Sequence, residues 1–289
     1  MHRTRALLVA SLFVAAFAHA DTHRSFNVAP GGTLTLDTHA GTVRVNSGGS
    51  GVSVDVDHQP SELDVKFVQN GNDVTVTGRM PEMHRWFNFT RDNWPEYVIN
   101  VPSTYNVHVS TSGGSVRIGD LTGEVRVHTS GGDLEVGRVN GAVDARTSGG
   151  GIRVDAATSL QARTSGGSID VHSVGGNVYA HTSGGGITID NAEGTIDAET
   201  SGGSIRARFS RPLRADSRLS TSGGGISVSL ASNVAVDVDA RSSGGGVDSD
   251  VPVTILGRQD EDALSGKING GGPHLTLRSS GGGIHIKRM

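Results

Sequence analysis

The chain contains 289 residues, with 25 lysines and arginines against 29 aspartates and glutamates, 43 glycines and no cysteine. The absence of cysteine excludes a disulfide framework and a lipid anchor attached through cysteine. The mildly acidic charge, with no basic cluster along the sequence, gives no basis for binding nucleic acid or for polybasic docking on a membrane.

Residues 1–20 have the pattern of a signal peptide. Arg3 and Arg5 precede an apolar stretch over residues 6–17, and Ala18-His19-Ala20 matches the small-x-small pattern of a cleavage site. The alternative is an uncleaved anchor, but the apolar stretch is shorter than the roughly twenty residues that span a bilayer. We therefore expect cleavage before Asp21, export from a bacterial cell to the periplasm or exterior, and no transmembrane anchor in the mature chain.

Residues 21–105 predict an irregular N-terminal β region. Apolar residues alternate at Leu34 and Leu36, then at Val43 and Val45, on either side of Thr38-His39-Ala40-Gly41. The β-layer is expected to begin close to Thr33, and further strands are predicted around residues 52–56, 65–67 and 74–76.

An aromatic segment interrupts this region and is the best candidate binding patch. Its members are Trp86, Phe87, Phe89, Trp94 and Tyr97, with Tyr105 shortly after them. Clustered aromatic side chains are typical of carbohydrate-stacking and protein-contact surfaces. They are equally typical of a cap that covers the open end or the first coil of a repeat protein, and both interpretations stay open.

Residues 106–289 are built on a repeated corner motif, Thr-Ser-Gly-Gly. It recurs at intervals of about eighteen residues, and two Ser-Ser-Gly-Gly versions begin at Ser242 and Ser279. The motif begins at Thr111, Thr129, Thr147, Thr164, Thr182, Thr200 and Thr221.

Apolar residues lie at fixed offsets around each corner motif. Around Thr129, for example, Val125 and Val127 precede it and Leu134 and Val136 follow, so both flanks alternate as strands with one apolar face. The glycines between them are expected to provide the sharp bend through positive φ. A short third side, at positions such as Leu121, completes a unit that buries its apolar face only by stacking on its neighbours.

The pattern predicts an all-β fold, a parallel β-solenoid of roughly eighteen-residue coils. A meander of antiparallel hairpins is the alternative, but it does not require a constant repeat length. Near the other end, residues 252–273 interrupt the repeat. The coil with Leu275 and Ile284 is expected to come last in the stack, where Lys287 and Arg288 discourage strand addition at its open end.

The repeated Thr-Ser-Gly-Gly-x-Ile-x-Val unit, together with Val101-Pro102 before the first repeat, resembles the bacterial exported β-strand-repeat proteins of the family DUF4097. The resemblance extends from about Phe26 to Ile286, and proteins of this family are often labelled adhesins. It implies the solenoid architecture and provides no catalytic or binding residues to transfer.

The seven corner threonines are expected to form a ladder of stacked hydroxyls at the surface, with the following serines beside it. Hydroxyls at a glycine corner either cap backbone groups or form a flat array for a glycan or ice.

Repeating calcium sites need an aspartate at every corner, but only Asp133 is acidic there. The histidines are scattered along the sequence. We therefore predict neither a metal nor a cofactor.

No catalytic motif accompanies the repeat. The sequence contains neither a nucleophile elbow nor a P-loop, and its carboxylates form no evident pair. We therefore predict a non-catalytic scaffold or adhesin-like module of the cell envelope, with an envelope protein or a glycan as partner. The alternative is a polysaccharide-acting β-helix enzyme, either a lyase or a hydrolase.

Overall fold

The computed structural model describes residues 22–58, 63–80, 94–255 and 260–289. The predicted signal peptide and the aromatic residues Trp86, Phe87 and Phe89 lie outside these ranges. The described residues contain twenty-eight strands. In chain order they are β1 (Thr22–Phe26), β2 (Thr33–Thr38), β3 (Thr42–Ser47), β4 (Val52–Asp57), β5 (Asp64–Asn70), β6 (Asp73–Arg79), β7 (Glu96–Val101), β8 (Asn106–Thr111), β9 (Val116–Ile118), β10 (Leu121–Thr122), β11 (Val125–Thr129), β12 (Leu134–Asn140), β13 (Ala142–Arg146), β14 (Ile152–Ala157), β15 (Ser159–Arg163), β16 (Ile169–Val174), β17 (Val178–Thr182), β18 (Ile187–Ile189), β19 (Ile196–Thr200), β20 (Ile205–Phe209), β21 (Ser217–Thr221), β22 (Ile226–Leu230), β23 (Val236–Ser242), β24 (Val247–Ser249), β25 (Thr254–Ile255), β26 (Ala263–Ile268), β27 (His274–Ser279) and β28 (Ile284–Arg288).

The strands form two fourteen-stranded sheets that share one core. Sheet A follows the order β1-β4-β7-β3-β9-β12-β14-β16-β18-β20-β22-β28-β24, with β10 beside β12, and sheet B follows β25-β26-β23-β27-β21-β19-β17-β15-β13-β11-β8-β2-β6-β5. Each coil contributes one strand to each sheet. Both sheets continue across residues 105 and 106, so the N-terminal coils and the repeats belong to one hydrophobic cluster.

Consecutive repeats pair in parallel, with equivalent residues adjacent. Val125 lies beside Val107 and Val143, and Ile152 lies beside Leu134 and Ile169. Parallel strands buried on one face place like side chains over like, so the aliphatic residues form continuous columns. The predicted parallel β-solenoid is confirmed, and the hairpin meander is wrong for the repeat region.

The corner glycines have a different physical role from the one expected. Among those of the Thr-Ser-Gly-Gly and Ser-Ser-Gly-Gly motifs, only Gly114 has a positive φ, of 100°. From Gly132 onward, the second glycine of each motif is needed because successive coils approach closely: a Cβ on Gly167, for example, would lie 2.1 Å from the carbonyl oxygen of Gly150, whereas a Cβ on the first glycine Gly131 would meet nothing nearer than 4.0 Å. Side-chain volume, rather than backbone conformation, therefore excludes other residues at these corners.

The first and last coils are not at the ends of the stack. The pair β2/β3 lies between β6/β7 and β8/β9, and the pair β27/β28 lies between β21/β22 and β23/β24. The expectation that the coil with Lys287 and Arg288 forms the open end is wrong, because β28 pairs with β22 on one side and, over Ile284–Ile286, with β24 on the other. The sheets instead end at antiparallel β1 and β5 on one side, and at the short strands β24 and β25 on the other.

Candidate binding face

The threonine column, defined as the seven corner threonines, lies inside the solenoid. Each is at most 7% exposed, so the threonines do not form the flat surface array considered as the alternative to backbone capping, whereas the serine after each, such as Ser165, is exposed. From Thr129 onward, each hydroxyl donates to the carbonyl of the second glycine of the preceding coil, at 2.7–3.0 Å. The column joins each coil to the one before it.

Of the predicted aromatic patch, the structure describes Trp94 and Tyr97. Tyr97 is fully buried and its hydroxyl lies 3.0 Å from Thr38 Oγ1, so its ring is not part of an exposed patch. Trp94 is half-buried over the first corner motif, where a Cβ on Gly113 would lie 2.6 Å from its ring. This placement brings Trp94 against the first regular coil.

A ring pair that the sequence analysis did not single out lies at the N-terminal end of the stack. Phe26 on β1 and Phe67 on β5 come from the edge strands of the two sheets, and their ring centroids are 6.2 Å apart. Arg24 lies over Phe67, with its guanidinium carbon 5.9 Å from the ring centroid. The end of the core is therefore covered by residues far apart in sequence.

The outward face of sheet B carries a row of basic side chains, which we call the cation row. The residue just before the corner motif points outward, and on β11, β13, β15 and β17 it is His128, Arg146, Arg163 and His181. Strand register places each beside the next. Adjacent strands lie about 4.8 Å apart, so the row follows the axis of the stack.

Different residues terminate the cation row on its two sides. Ser110 of β8 follows His128, and Glu199 of β19 follows His181. The outward column of sheet A is arranged differently, because Arg117, Glu135, Arg153 and Asp170 alternate in sign along it, and Arg117 donates to Glu135 at 2.7 Å. Two arginines on adjacent strands, Arg146 and Arg163, are thus a feature of the cation row and not of that column.

Arg163 is held in place by two uncharged neighbours. Its guanidinium carbon lies 4.4 Å from the ring centroid of Tyr179, and the amide oxygen of Gln161, in the orientation that faces the guanidinium, accepts from Nη2 at 2.7 Å. Tyr179 in turn stacks on His181, with centroids 3.8 Å apart. No carboxylate among the described residues forms an ion pair with Arg163, whereas Arg146 donates to Asp144 at 2.8 Å.

A groove of about 440 Å³ lies at the end of the row near His128. Its polar lining includes Asp37, His108, Arg126, Asp144 and Arg146. Burial, aided by the nearby Arg126 guanidinium, lowers the pKa of His108 and favours the neutral imidazole. The hydrogen bond from Arg79 lowers the pKa of Asp37 and keeps that carboxylate ionised.

A second concavity, of about 680 Å³, lies on the third side of the coils. Leu121 and Val139 form its apolar floor, and Asp120 lies at its rim. Hydrogen bonds from the backbone and side chain of Arg138 lower the pKa of Asp120. The charges at this rim are therefore already paired with each other, unlike the charge of Arg163.

The described ranges contain no group of three or more histidines and acidic residues that could hold a metal. Nor does any helix within them have the length and apolar character needed to cross a membrane. Asp260, Glu261 and Asp262 are exposed, and Asp133 accepts from the backbone nitrogen of Gly151 at 2.8 Å.

A family model described as Toastrack DUF4097 matches residues 32–287. Three solved structures are similar over nearly the whole chain. One is described as "a putative adhesin" from Bacteroides fragilis, with 13% identity, coverage of 94% of this chain and 98% of the other, and a TM-score of 0.48. Another is "a putative cell adhesion protein" from Clostridium sporogenes, with 13% identity, coverage of 93% and 99%, and a TM-score of 0.25.

The third is "a putative adhesin" from Parabacteroides merdae, with 9% identity, coverage of 94% of this chain and 97% of the other, and a TM-score of 0.36. No curated protein matches the chain.

Proposed function

Because this chain belongs to the Toastrack DUF4097 family, we propose that it is an exported, non-catalytic β-solenoid that acts as a cell-envelope scaffold or adhesin-like binding module. The observation that carries the proposal is the bonding of coil to coil by the buried threonine column, which supports two long faces with side chains in fixed rows. A rigid surface loses little conformational entropy on binding, and this favours recognition by the faces. The predicted signal peptide supports export.

The carboxylates on these faces support a non-catalytic role. Asp120, Glu135 and Asp144 each accept hydrogen bonds from a neighbouring arginine. A glycosidase needs one carboxyl group kept protonated near neutral pH as a general acid, whereas hydrogen bonds from Arg138 lower the pKa of Asp120 and favour its ionised form. These groups are better suited to stabilising the stack than to proton transfer.

Subcellular fractionation tests the location, and a pull-down from envelope extract tests the binding role. We expect the chain in the periplasmic, surface or secreted fraction, and retention of an envelope protein or glycan without its breakdown. Turnover of any polymer in a panel of glycans would contradict the non-catalytic role and favour a lyase or hydrolase. Recovery from the cytoplasm alone would contradict export.

The aromatic segment is a second candidate contact region, and we propose a capping role for it. The support is the packing of Trp94 over Gly113 at the first corner motif. If the segment is a cap, Trp86→Ala and Trp94→Ala lower thermal stability and leave the affinity for a retained partner unchanged. Loss of affinity at unchanged stability would favour a contact patch instead.

A further inference from the structure

We propose that the cation row binds a linear acidic glycan, of the polyuronate class, that lies along the axis of the solenoid. This inference rests on the proposed role as a binding module and adds the chemistry of the ligand. It starts from the four basic side chains His128, Arg146, Arg163 and His181, which occupy equivalent outward positions on four adjacent strands.

Spacing determines the shape of the ligand. Because neighbouring strands lie about 4.8 Å apart, the row presents a basic group at each such step over three steps. A globular acidic partner does not match a straight row one side chain wide. A linear polymer with one acidic group on each sugar residue places acids along the same line as the row and gains from several contacts at once.

Arg163 is the central contact because its charge is uncompensated and its position is fixed. The Gln161 amide oxygen accepts from its two terminal nitrogens, and Tyr179 covers one face of the guanidinium. A guanidinium has five N–H donors, so further donors remain for a carboxylate. Arginine binds carboxylates in a bidentate geometry, and a side chain already held by packing loses less entropy on binding.

The column beside the cation row favours a sugar over a bare polyanion. Arg126, Asp144, Gln161 and Tyr179 lie next to one another on the same four strands. This column contains carboxylate, amide and phenol groups, which exchange hydrogen bonds with hydroxyls, and the groove near His128 offers room for a ring. Asp144 pairs with Arg146 at 2.8 Å, and at the other end of the row His181 lies 3.7 Å from Asp197 and 3.8 Å from Glu199. The uncompensated positive charge of the row is therefore that of Arg163.

The test is binding of polygalacturonate to the full chain, measured by calorimetry, with fully methyl-esterified polymer as the neutral control. We expect binding that weakens as salt is added and that strengthens with oligomer length up to about the length of the row. The double variant Arg146→Gln/Arg163→Gln should lose at least tenfold in affinity, about 1.4 kcal/mol.

The matched control is Arg153→Gln/Arg206→Gln. It removes the same charge from exposed arginines on the outward face of sheet A and should change affinity less than twofold. Circular dichroism and melting temperature establish that both double variants are folded. Should the double variant of the cation row fail to fold, Arg163→Lys replaces it, because lysine keeps the charge and loses the bidentate geometry, and a severalfold loss is expected.

Several results would overturn the inference. They are equal losses from both double variants, equal binding of the esterified polymer, and binding of polyphosphate but not polygalacturonate. In each case the proposed scaffold or binding role stands, because it does not depend on this ligand. Depolymerisation of polygalacturonate would contradict the non-catalytic role, and the two failures are thus distinguishable.

Discussion

Replacing Thr200 with valine tests how much the threonine column stabilises the stack. Thr200 is 1% exposed, donates to the Gly185 carbonyl at 2.7 Å and accepts from the Gly203 nitrogen at 3.3 Å. Valine has nearly the same volume, so packing is kept while both hydrogen bonds are lost. A buried polar group left without a partner costs about 1–3 kcal/mol, and we expect the free energy of unfolding to fall by about 2 kcal/mol.

Urea denaturation followed by circular dichroism measures this loss, and the melting temperature should fall by roughly 4–8 °C for a chain of this size. Thr188→Val is the matched control, because Thr188 points outward from sheet A and is partly exposed. It should stay within about 0.5 kcal/mol of the parent. Thr200→Ser keeps the hydroxyl and should recover part of the loss. Equal stability of the two valine variants would refute a stabilising role for the buried hydroxyl.

Three further predictions follow from the packing and titration of the core. Gly167→Ala places a Cβ 2.1 Å from a neighbouring carbonyl oxygen and should lower the free energy of unfolding in urea by about 1–3 kcal/mol, whereas Gly175→Ala meets no atom within 4 Å and should be neutral. Equal stability of the two variants would contradict the close approach of coils. Burial raises the pKa of Tyr105 from 10.0 to about 12. As the pH rises, the unfolded chain loses this proton before the folded chain does, so the stability of the fold should decrease between pH 10 and about 12. Tyr105→Phe should make the decrease in melting temperature over this pH range shallower. Phe67→Ala removes half of the ring pair at the N-terminal end, and because an aromatic pair contributes about 0.5–1.5 kcal/mol, the free energy of unfolding in urea should fall by at least that amount. The neighbouring Val68→Ala, at a side chain 60% exposed, should change little. Equal stability of these two variants would argue against a cap at this end.

The repeat architecture could be predicted because its cause is local. Apolar alternation around each corner specifies which face of a strand is buried, and a constant repeat length places equivalent residues over one another. Val125 and Leu134, predicted as inward positions, are both buried in the core. The role of Gly167 was not predictable in the same way, because the carbonyl that excludes a side chain belongs to the preceding coil.

The order of coils at the two ends could not be derived from local pattern. β27 and β28 have the same alternation as the other repeats, and nothing in that alternation indicates that they pair on both sides. The order of the coils depends on where the segments that interrupt the repeat fold back onto the stack. Long-range strand pairing determines this, and the local pattern does not show it.

The cation row was missed for a related reason. Its members are separated by seventeen or eighteen residues and form no basic cluster along the chain. The apolar offsets indicate which face of each strand is buried, and His128 and His181, three coils apart, do not indicate a site by themselves. The arginines between them, at the same offset from their corner motifs, were overlooked. The row becomes visible when the residue types at each outward-facing position are compared from one repeat to the next.

The need to end the stack explains the irregular segments at its two ends. It also supports ligand binding on the outward faces of the two sheets. When a regular coil pairs with the edge of the stack, it leaves a new unpaired edge of the same kind. A chain made only of such coils would therefore template the addition of further strands at both ends. The N-terminal end instead closes with antiparallel β1 and β5, and sheet B ends on antiparallel β26 and two-residue β25 at the other. These segments come from the parts of the sequence that break the repeat. These segments cover both ends of sheet B and one end of sheet A, whereas the other end of sheet A is the short parallel strand β24. The long outward faces are the surfaces that repeat in register and are open to a ligand that matches the repeat.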